Sequence, residues 1–291
     1  MTFAPIRPAL ALLALLLAAP LHAQHPQPHR LISTAPSLTE ILYALGLGPQ
    51  VAGVTTFCRF PPDALAKPKI GTFTQPDFER ILAQRPTLVF VIPNPVGLAN
   101  KLRRLGLRVE ELPLDTLPQI LSSITRAGEL TGAQPAALRL TSQLRADLDA
   151  LRAATARRSP VSVLFIIDRT PNTLQGMFAA APGSYIDELL TAAGGRNAAP
   201  TGGGPFPKIS LEQILAADPD VIIDMGDYSH GRPADPESRA RKLTLWSQFP
   251  QLRAVRSKRV FDVSSDEFVV PGPRVAQAAR HLHRLLHPEA P

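Results

Sequence analysis

A twelve-residue segment occurs twice in this chain, at residues 78–89 and 211–222, and the two copies align without a gap. Five of the twelve positions are identical, and each copy places a short helical pattern before a proline and an apolar segment. The copies are 133 residues apart, which is about half of the 268 residues that follow residue 23. A repeat at this spacing predicts two structural units built alike.

Short apolar or β-branched segments alternate with segments of helical periodicity along the chain. The predicted strands are residues 30–33, 51–55, 87–92, 108–112, 161–167, 221–224 and 260–263. The predicted helices are residues 38–45, 78–84, 97–105, 117–131, 185–193, 211–216 and 275–286. Such alternation is typical of α/β folds with mostly parallel sheets. Near the start of the first helix, Ser37 and Glu40 have the spacing of a capping box.

The segment at residues 135–157 contains no glycine and no proline after its first residue, and its leucines recur at helical spacing. This pattern predicts one amphipathic helix, roughly 35 Å long at about 1.5 Å per residue. Such a helix either joins two lobes or packs within one domain. The repeat favours two Rossmann-like α/β lobes at residues 30–134 and 159–287, joined by a linker helix at residues 135–158, with a ligand cleft between the lobes.

The first 23 residues have the pattern of a secretory signal peptide. Arg7 precedes an apolar segment of about 11 residues, and small residues end the pattern at Ala23. The apolar segment is shorter than the roughly 20 residues that cross a bilayer. No cysteine lies near Ala23, so a lipobox is not expected. We predict a periplasmic protein without a lipid anchor.

The formal charge of +7 is spread along the chain. Residues 159–291 hold 14 basic and 14 acidic residues, and no run of Lys or Arg is interleaved with aromatic residues. This distribution argues against a nucleic-acid interface. Cys58 is the one cysteine, and six of the seven histidines lie near the two ends of the chain, so neither a disulfide nor a metal site is predicted.

Motifs of catalysis are missing from the sequence. The segment at residues 183–187 lacks the second glycine of a nucleophile elbow. Glu79 and Glu212 hold matching positions in the two copies of the repeat, and as a pair they offer a remote alternative, a secreted two-carboxylate hydrolase. Such hydrolysis needs carboxyl groups roughly 5–10 Å apart, whereas matching helices of separate lobes would hold them further apart. We predict that the protein is not an enzyme.

Loops rich in Pro, Gly, Thr and aromatic residues follow most of the predicted strands. Ligands of α/β sheets bind outside the carboxyl ends of the strands, so two lobes that face each other would form a cleft there. We expect aromatic side chains to cover an apolar ligand and charged ones to orient its polar groups, although core burial is the alternative for each Phe. The predicted ligand-binding residues are Pro36, Phe57, Cys58, Thr72, Phe73, Asn94, Arg169, Phe206, Asp266, Phe268 and Arg274.

Several local motifs together resemble the substrate-binding proteins of bacterial ABC importers. They are Arg30–Ser33, Pro36–Leu42, Gly53–Thr55, Pro61–Pro62, Lys69–Phe73 and Pro271–Arg274. The resemblance is to the group whose two α/β lobes are joined by a single helix and which binds cobalamin, iron siderophores or haem. It covers residues 30–286 and implies the same fold for this chain.

The resemblance implies that the protein captures cobalamin or a related corrinoid and delivers it to an ABC importer. A ferric siderophore or haem is the alternative ligand, and His230, with Tyr228 nearby, offers an axial ligand for haem. No cofactor is expected, because a cobalt corrinoid would be the cargo. In this family the matching glutamate of each lobe docks onto arginines of the two permease subunits, which implies that role for Glu79 and Glu212. We expect a monomer that closes only modestly on its ligand.

Overall fold

The computed structural model describes residues 29–94, 96–226, 236–263 and 265–288. The predicted signal peptide lies outside these residues, and so do Tyr228 and His230. Within the described residues, no helix is both long enough and apolar enough to cross a membrane. The described chain forms two separate β-sheets, and one long helix lies between them in sequence.

The first sheet and its helices make up the N-terminal lobe. Its strands are β1 (Leu31–Ser33), β2 (Val51–Val54), β3 (Leu88–Val91) and β4 (Val109–Glu111), and its helices are α1 (Pro36–Ala44), α2 (Phe78–Ala83), α3 (Leu98–Arg104) and α4 (Leu117–Thr131). All four strands are parallel, in the order β2–β1–β3–β4. β1 and β3 are buried along their whole length, as is usual for parallel strands covered by helices on both faces.

The second sheet and its helices make up the C-terminal lobe. Its strands are β5 (Val161–Asp168), β6 (Met177–Ala179), β7 (Gly195–Asn197), β8 (Lys208–Ile209), β9 (Val221–Asp224) and β10 (Val260–Asp262). Its helices are α6 (Tyr185–Ala192), α7 (Leu211–Ala217), α8 (Pro236–Ser247), α9 (Arg253–Arg256) and α10 (Val275–Leu286). The strand order is β10–β9–β5–β6–β8, and β7 also pairs with β5. β5 is parallel to β7 and β9 and antiparallel to β6.

The long helix between the sheets is α5 (Gln134–Thr155). It packs against α4 of the N-terminal lobe and against α6 and α10 of the C-terminal lobe. Gly128 allows α4 and α5 to approach closely, because a Cβ at this position would lie 2.5 Å from the Cβ of Ala137. The helix therefore contacts both lobes, as the linker prediction requires. The exact domain bounds at residues 30–134, 135–158 and 159–287 remain predictions.

The two lobes also meet outside α5. The backbone N–H of Tyr185 donates to the carbonyl oxygen of Asp115 at 2.7 Å, and the N–H of Leu117 donates to the Glu188 carboxylate at 2.5 Å. One continuous apolar cluster contains side chains of both lobes, from α1 and β3 on one side to β5 and α10 on the other. Because separating the lobes would break these contacts, we expect their relative orientation to be well defined.

The structure differs from the sequence prediction in two local respects. β6, β7, β8 and α9 are not predicted, because segments of two to four residues are too short to show a period, and the longer helix α8 is also absent from the predicted helices. The predicted capping box at Ser37 and Glu40 is wrong. α1 begins at Pro36 after Ala35, with no side-chain cap, and a proline suits this position because its missing N–H would have no helical partner. Ser37 and Glu40 are both buried instead.

Candidate ligand cleft and docking helices

The turn at residues 271–274 brings the C-terminal lobe against the first helix of the N-terminal lobe. A Cβ on Gly272 would lie 3.6 Å from the carbonyl oxygen of Ser37 in α1. Arg274 donates to the Glu40 carboxylate from both Nε, at 2.8 Å, and Nη2. Glu40 lies in α1, the helix that follows β1, and Arg274 lies at the end of the segment between β10 and α10. We call this contact the interlobe junction, and it lies where the sequence predicts the ligand cleft.

The guanidinium group of Arg274 has hydrogen-bond partners along its edges and an aromatic ring against one face. Its Nη1 donates to Oδ1 of Asp266 at 2.7 Å, and its Cζ lies 4.5 Å from the centre of the Phe60 ring. Burial opposes the charged form of Arg274, but the bonds to Glu40 and Asp266 outweigh burial and raise its pKa. Burial also raises the pKa of Glu40, against the opposing effect of Arg274. The structure thus unites two predicted ligand residues, Asp266 and Arg274, in one ionic network.

Arg169 directly follows β5, and the structure places its side chain in the interior. Its Nε donates to Oδ2 of Asp224 at 3.1 Å, and its Nη1 donates to the carbonyl oxygen of Thr173 at 2.9 Å. Asp224, at the end of β9, also accepts the indole N–H of Trp246 at 2.8 Å and the backbone N–H of Gly226 at 2.7 Å. Because both charged side chains are almost fully buried, this network joins the end of β9 to the segment at residues 169–173 that follows β5.

The predicted aromatic ligand residues lie in three environments. Phe57 is nearly half exposed. Phe73 and Phe206 are partly buried against the large apolar cluster, and the Phe206 ring meets Tyr185 edge to face with centroids 6.4 Å apart. Phe268 has no exposed surface and belongs to the core of that cluster. Phe57 is therefore the most exposed aromatic residue of this set.

The four remaining predicted ligand residues follow strands of the first sheet. Pro36 begins α1 after β1, and Thr72 lies in the segment between β2 and α2. Asn94 follows β3, and its Oδ1 accepts the backbone N–H of Leu98, the first residue of α3, at 3.2 Å. Cys58 is buried, and burial raises the pKa of its thiol. These residues therefore lie at the carboxyl edge of the sheet, where Cys58 serves as an interior residue.

Glu79 and Glu212 occupy equivalent positions on two equivalent helices. Asp77 caps α2 through its side chain, and Glu79 lies two residues later. Ser210 and Gln213 form a reciprocal capping box on α7, and Glu212 again lies two residues after the cap. Both glutamates are exposed, and a hydrogen bond from Ser210 lowers the pKa of Glu212. The structure therefore presents one surface carboxylate on each lobe in matching local geometry.

Four side chains of these networks were not among the predicted ligand residues. They are those of Glu40, Phe60, Asp224 and Trp246. Glu40 was interpreted as a helix cap, although its true partner lies 234 residues away. Phe60 is as exposed as Phe57 in the same loop, so the aromatic loop itself was the available signal. Asp224 is the last residue of an apolar strand, and a carboxylate in that position could have indicated a polar site at the carboxyl end of the sheet.

A separate cavity of about 620 Å³ opens at the opposite edge of the second sheet. It lies at the starts of β5, β9 and β10, where Val161, Asp220 and Arg259 line it. None of the predicted ligand residues lines this cavity. In the part of the chain that the structure describes, no group of three or more His, Cys, Asp or Glu side chains is placed to hold a metal ion.

Comparison with known proteins decides the family. Residues 31–267 match the sequence model of the periplasmic binding proteins. The chain belongs to the periplasmic binding protein family. As a periplasmic binding protein it has the two-sheet α/β architecture that the sequence predicted, and the prediction of a solute-binding protein of this class is confirmed.

This periplasmic binding protein is similar to proteins whose ligands differ. The vitamin B12-binding protein of Vibrio cholerae serotype O1 is 27% identical over 256 residues, which cover 87% of each chain. The crystal structure of the periplasmic vitamin B12-binding protein BtuF of Vibrio cholerae is 26% identical, with a TM-score of 0.75 over 89% of this chain and 97% of that one. The periplasmic heme-binding protein RhuT of Roseiflexus sp. RS-1 is 26% identical, with a TM-score of 0.73 over 90% of this chain and 98% of that one.

Proposed function

We propose that this periplasmic binding protein captures cobalamin or a related corrinoid and delivers it to an ABC importer. The observation that carries the proposal is the similarity to a vitamin B12-binding protein over 87% of both chains. The interlobe junction agrees with it, because Phe60 exposes aromatic surface beside the Arg274 network, and Phe57 of the same loop is exposed as well. A large ligand with an apolar body and a polar rim suits such a combination. The protein acts by binding alone, without catalysis and without a cofactor of its own, since the cobalt corrinoid is cargo.

Haem is the second candidate ligand. The similarity to RhuT supports it, because sequence identity and TM-score nearly equal those of BtuF. A ferric siderophore is the third member of the same class of ligands. All three are large metal complexes, so the overall fold does not distinguish among them, and the residues of the cleft must.

Calorimetric titration of residues 24–291 with cyanocobalamin tests the proposed ligand. We expect saturable one-to-one binding with a Kd on the order of 1 μM or tighter, together with a rise in melting temperature as ligand stabilises the native state. Haemin titrated under the same conditions is the comparison ligand. If cyanocobalamin gives neither heat nor a shift in melting temperature and haemin binds saturably, the proposed ligand is wrong and haem takes its place.

We propose that Glu79 and Glu212 dock the protein onto a dimer of permease subunits, one glutamate on each subunit. Two exposed carboxylates in matching positions on two lobes suit a partner that presents two equivalent cationic sites. A capped helix holds each carboxylate in a fixed place, which limits the entropy lost on docking.

The double variant Glu79→Ala/Glu212→Ala tests the docking proposal. We expect unchanged affinity for the ligand and loss of stimulation of the importer's ATPase, because the ligand network at the interlobe junction is not altered. The matched control is Glu129→Ala/Glu237→Ala, which removes two exposed helix glutamates elsewhere. Full ATPase stimulation by the docking variant would contradict the proposal, and so would equal loss in the control.

We further propose that residues 1–23 direct export and are removed after Ala23, that no lipid anchor replaces them, and that the mature protein is a periplasmic monomer. The sequence pattern of residues 1–23 supports export. N-terminal sequencing of the exported protein should begin at Gln24, and light scattering should give the mass of one chain. A mature N-terminus elsewhere, or a dimer mass, would contradict this part of the proposal.

A further inference from the structure

The cavity at the starts of β5, β9 and β10 is lined by more cationic than anionic side chains. Three guanidinium groups line it, those of Arg253, Arg256 and Arg259, together with one carboxylate, that of Asp220. The other lining residues are small or apolar, namely Ser159, Pro160, Val161 and Ser257. The volume of about 620 Å³ lies in the range of roughly 300–1,000 Å³ that is usual for small-molecule sites.

Arg253 is compensated by carboxylates and fixes one wall of the cavity. Its Nε donates to Oδ2 of Asp218 at 2.9 Å, and its Nη1 donates to Oδ1 of Asp220 at 2.7 Å. Oδ2 of Asp220 also accepts the backbone N–H of Ser162 at 3.0 Å. These bonds join α9 to the starts of β5 and β9, so the wall is formed by the protein's own contacts and needs no ligand to order it.

The other two arginines of the cavity have only backbone partners. Nη1 of Arg256 donates to the carbonyl oxygen of Gln251, and Nη2 of Arg259 donates to the carbonyl oxygens of Leu285 at 3.4 Å and Leu286 at 2.7 Å. In the described part of the chain, neither guanidinium group forms an ion pair, and none of the described hydrogen bonds uses Nε of either residue. Both arginines are therefore oriented by the fold and keep N–H donors for an anionic acceptor.

The positive potential of the cavity reaches the neighbouring end of α10. Burial lowers the pKa of His287, and the charges of His283, Arg158 and Arg259 lower it further. Arg259 thus acts on this imidazole as well as lining the cavity. A concave surface with charge of one sign focuses the electrostatic field and raises the local concentration of counter-ions. An anion bound beside Arg259 would oppose these positive charges.

We propose that this cavity binds a small phosphate ester through Arg256 and Arg259, at a site separate from the ligand cleft. A phosphate group offers several oxygens at once, and guanidinium groups recognise it through parallel N–H donors. Pro160 and Val161 provide apolar surface for the organic part of the ester. The cavity lies at the amino ends of the strands, so its occupant does not displace a ligand from the cleft at their carboxyl ends.

Calorimetric titration of residues 24–291 with glycerol 3-phosphate tests the proposal, and inorganic phosphate and glycerol are the comparison probes. We expect saturable one-to-one binding of glycerol 3-phosphate with a Kd on the order of 0.1–1 mM, weaker binding of inorganic phosphate and none of glycerol. Arg256→Gln should weaken binding by about fivefold or more, because one of the two guanidinium groups is lost. Arg256→Gln/Arg259→Gln should abolish it.

Proton NMR of the histidine side chains gives a second, independent measurement. The pKa of His287 should rise when glycerol 3-phosphate binds, because the anion opposes the charge of Arg259. Loss of a resonance in His287→Gln identifies the signal. Arg259→Lys keeps the positive charge but not the planar set of donors, so it should bind more weakly than the unsubstituted protein and more tightly than the double variant. This variant keeps the test available if the double variant does not fold.

Arg139→Gln is the matched control, because it removes one exposed guanidinium group from α5. Arg139 lies 16 residues before Thr155, the end of α5, which is roughly 24 Å at about 1.5 Å per residue. This distance exceeds the Debye length of about 10 Å at 0.1 M salt, so the control should bind glycerol 3-phosphate within about twofold of the unsubstituted protein. A melting curve for each variant establishes that it is folded.

A lipid headgroup offers the same phosphate chemistry, and vesicles distinguish the two sources. Binding to phosphatidylglycerol vesicles that is lost in Arg256→Gln, without binding of glycerol 3-phosphate, supports the site and identifies a lipid as its ligand. The proposal is wrong if neither probe binds, if Arg256→Gln binds as tightly as the unsubstituted protein, or if Arg139→Gln loses affinity equally. Competition between glycerol 3-phosphate and cyanocobalamin would contradict a separate site, whereas failure of cyanocobalamin to bind would concern the proposed cargo alone.

Discussion

The substitution Arg274→Ala should destabilise the protein by about 3–5 kcal/mol. Glu40 is buried, and Arg274 is the cationic partner that the structure gives it. Removing one partner of a buried ion pair leaves an uncompensated charge in the interior, which typically costs about 3–5 kcal/mol. Asp266 also loses its partner, but its greater exposure lets water solvate it, so its contribution is small. Urea unfolding measures the change.

Two further variants distinguish the cost of leaving Glu40 without its cationic partner from the cost of losing the packing of the Arg274 side chain. The combination Glu40→Leu/Arg274→Met replaces both charges by apolar groups, and we expect it to regain most of the stability lost in Arg274→Ala, because a buried pair replaced by apolar residues is often neutral or more stable. The control is Arg280→Ala, which removes the half-exposed pair between Arg280 and Asp147 and should cost about 0–1 kcal/mol.

The stability of Arg274→Ala should also depend on pH in a defined direction. Burial already raises the pKa of Glu40, and the guanidinium that opposes this shift is absent from the variant. A carboxyl group whose pKa is raised in the folded state loses stability as pH rises through that pKa. The cost of the substitution should therefore be smaller at pH 4.5 than at pH 7. The reasoning fails if Arg274→Ala costs less than about 1 kcal/mol at pH 7, or if its cost does not change with pH.

Two other predictions concern single positions. Gly71→Ala should destabilise the protein by about 1–3 kcal/mol, because the backbone there has a φ of +90° and a Cβ would lie 2.5 Å from the carbonyl oxygen of Gln75. Gly46→Ala is the control and should cost less, because Gly46 has a φ of +78° but a Cβ there would meet no other atom within 4 Å. Equal losses of stability for the two variants, measured by urea unfolding, would contradict this prediction. The hydrogen bond with His281 lowers the pKa of Glu267, so its contribution to stability is present above its ordinary pKa of 4.5 and is lost as pH falls through the lowered value. Glu267→Gln should therefore lose less stability than the unsubstituted protein between pH 5 and pH 3, and parallel acid unfolding curves would be the contrary result.

Helices with strong local signals could be predicted to the residue. α4 spans residues 117–131 as predicted, because Thr116 and Gln119 form a capping box at its start and Gly132 adopts a left-handed conformation at its end. α10 also has its predicted bounds, since its apolar residues recur at helical spacing. These signals lie within a few residues of the helix end that they determine.

The short strands of the C-terminal lobe carried no such signal. β8 has two residues, and it is a strand because its backbone pairs with β6, not because its side chains favour that state. The candidate site shows the same limit. Ser37 and Glu40 have the spacing of a cap, yet the N–H groups at the start of α1 receive no side-chain cap and Glu40 is buried against Arg274. A pattern among neighbouring residues cannot predict that a side chain will pair with a residue far away in the sequence.

The sequence by itself determined the family, the two α/β units and the helix between them, because repeats and hydrophobic periods are local and additive along the chain. It also placed Glu79 and Glu212 on equivalent helices, since each depends only on its own cap. Only the tertiary structure decided which of the predicted cleft residues are accessible. Arg274 meets Glu40 across 234 residues and Phe268 lies in the core, because both outcomes depend on how the two lobes pack against each other.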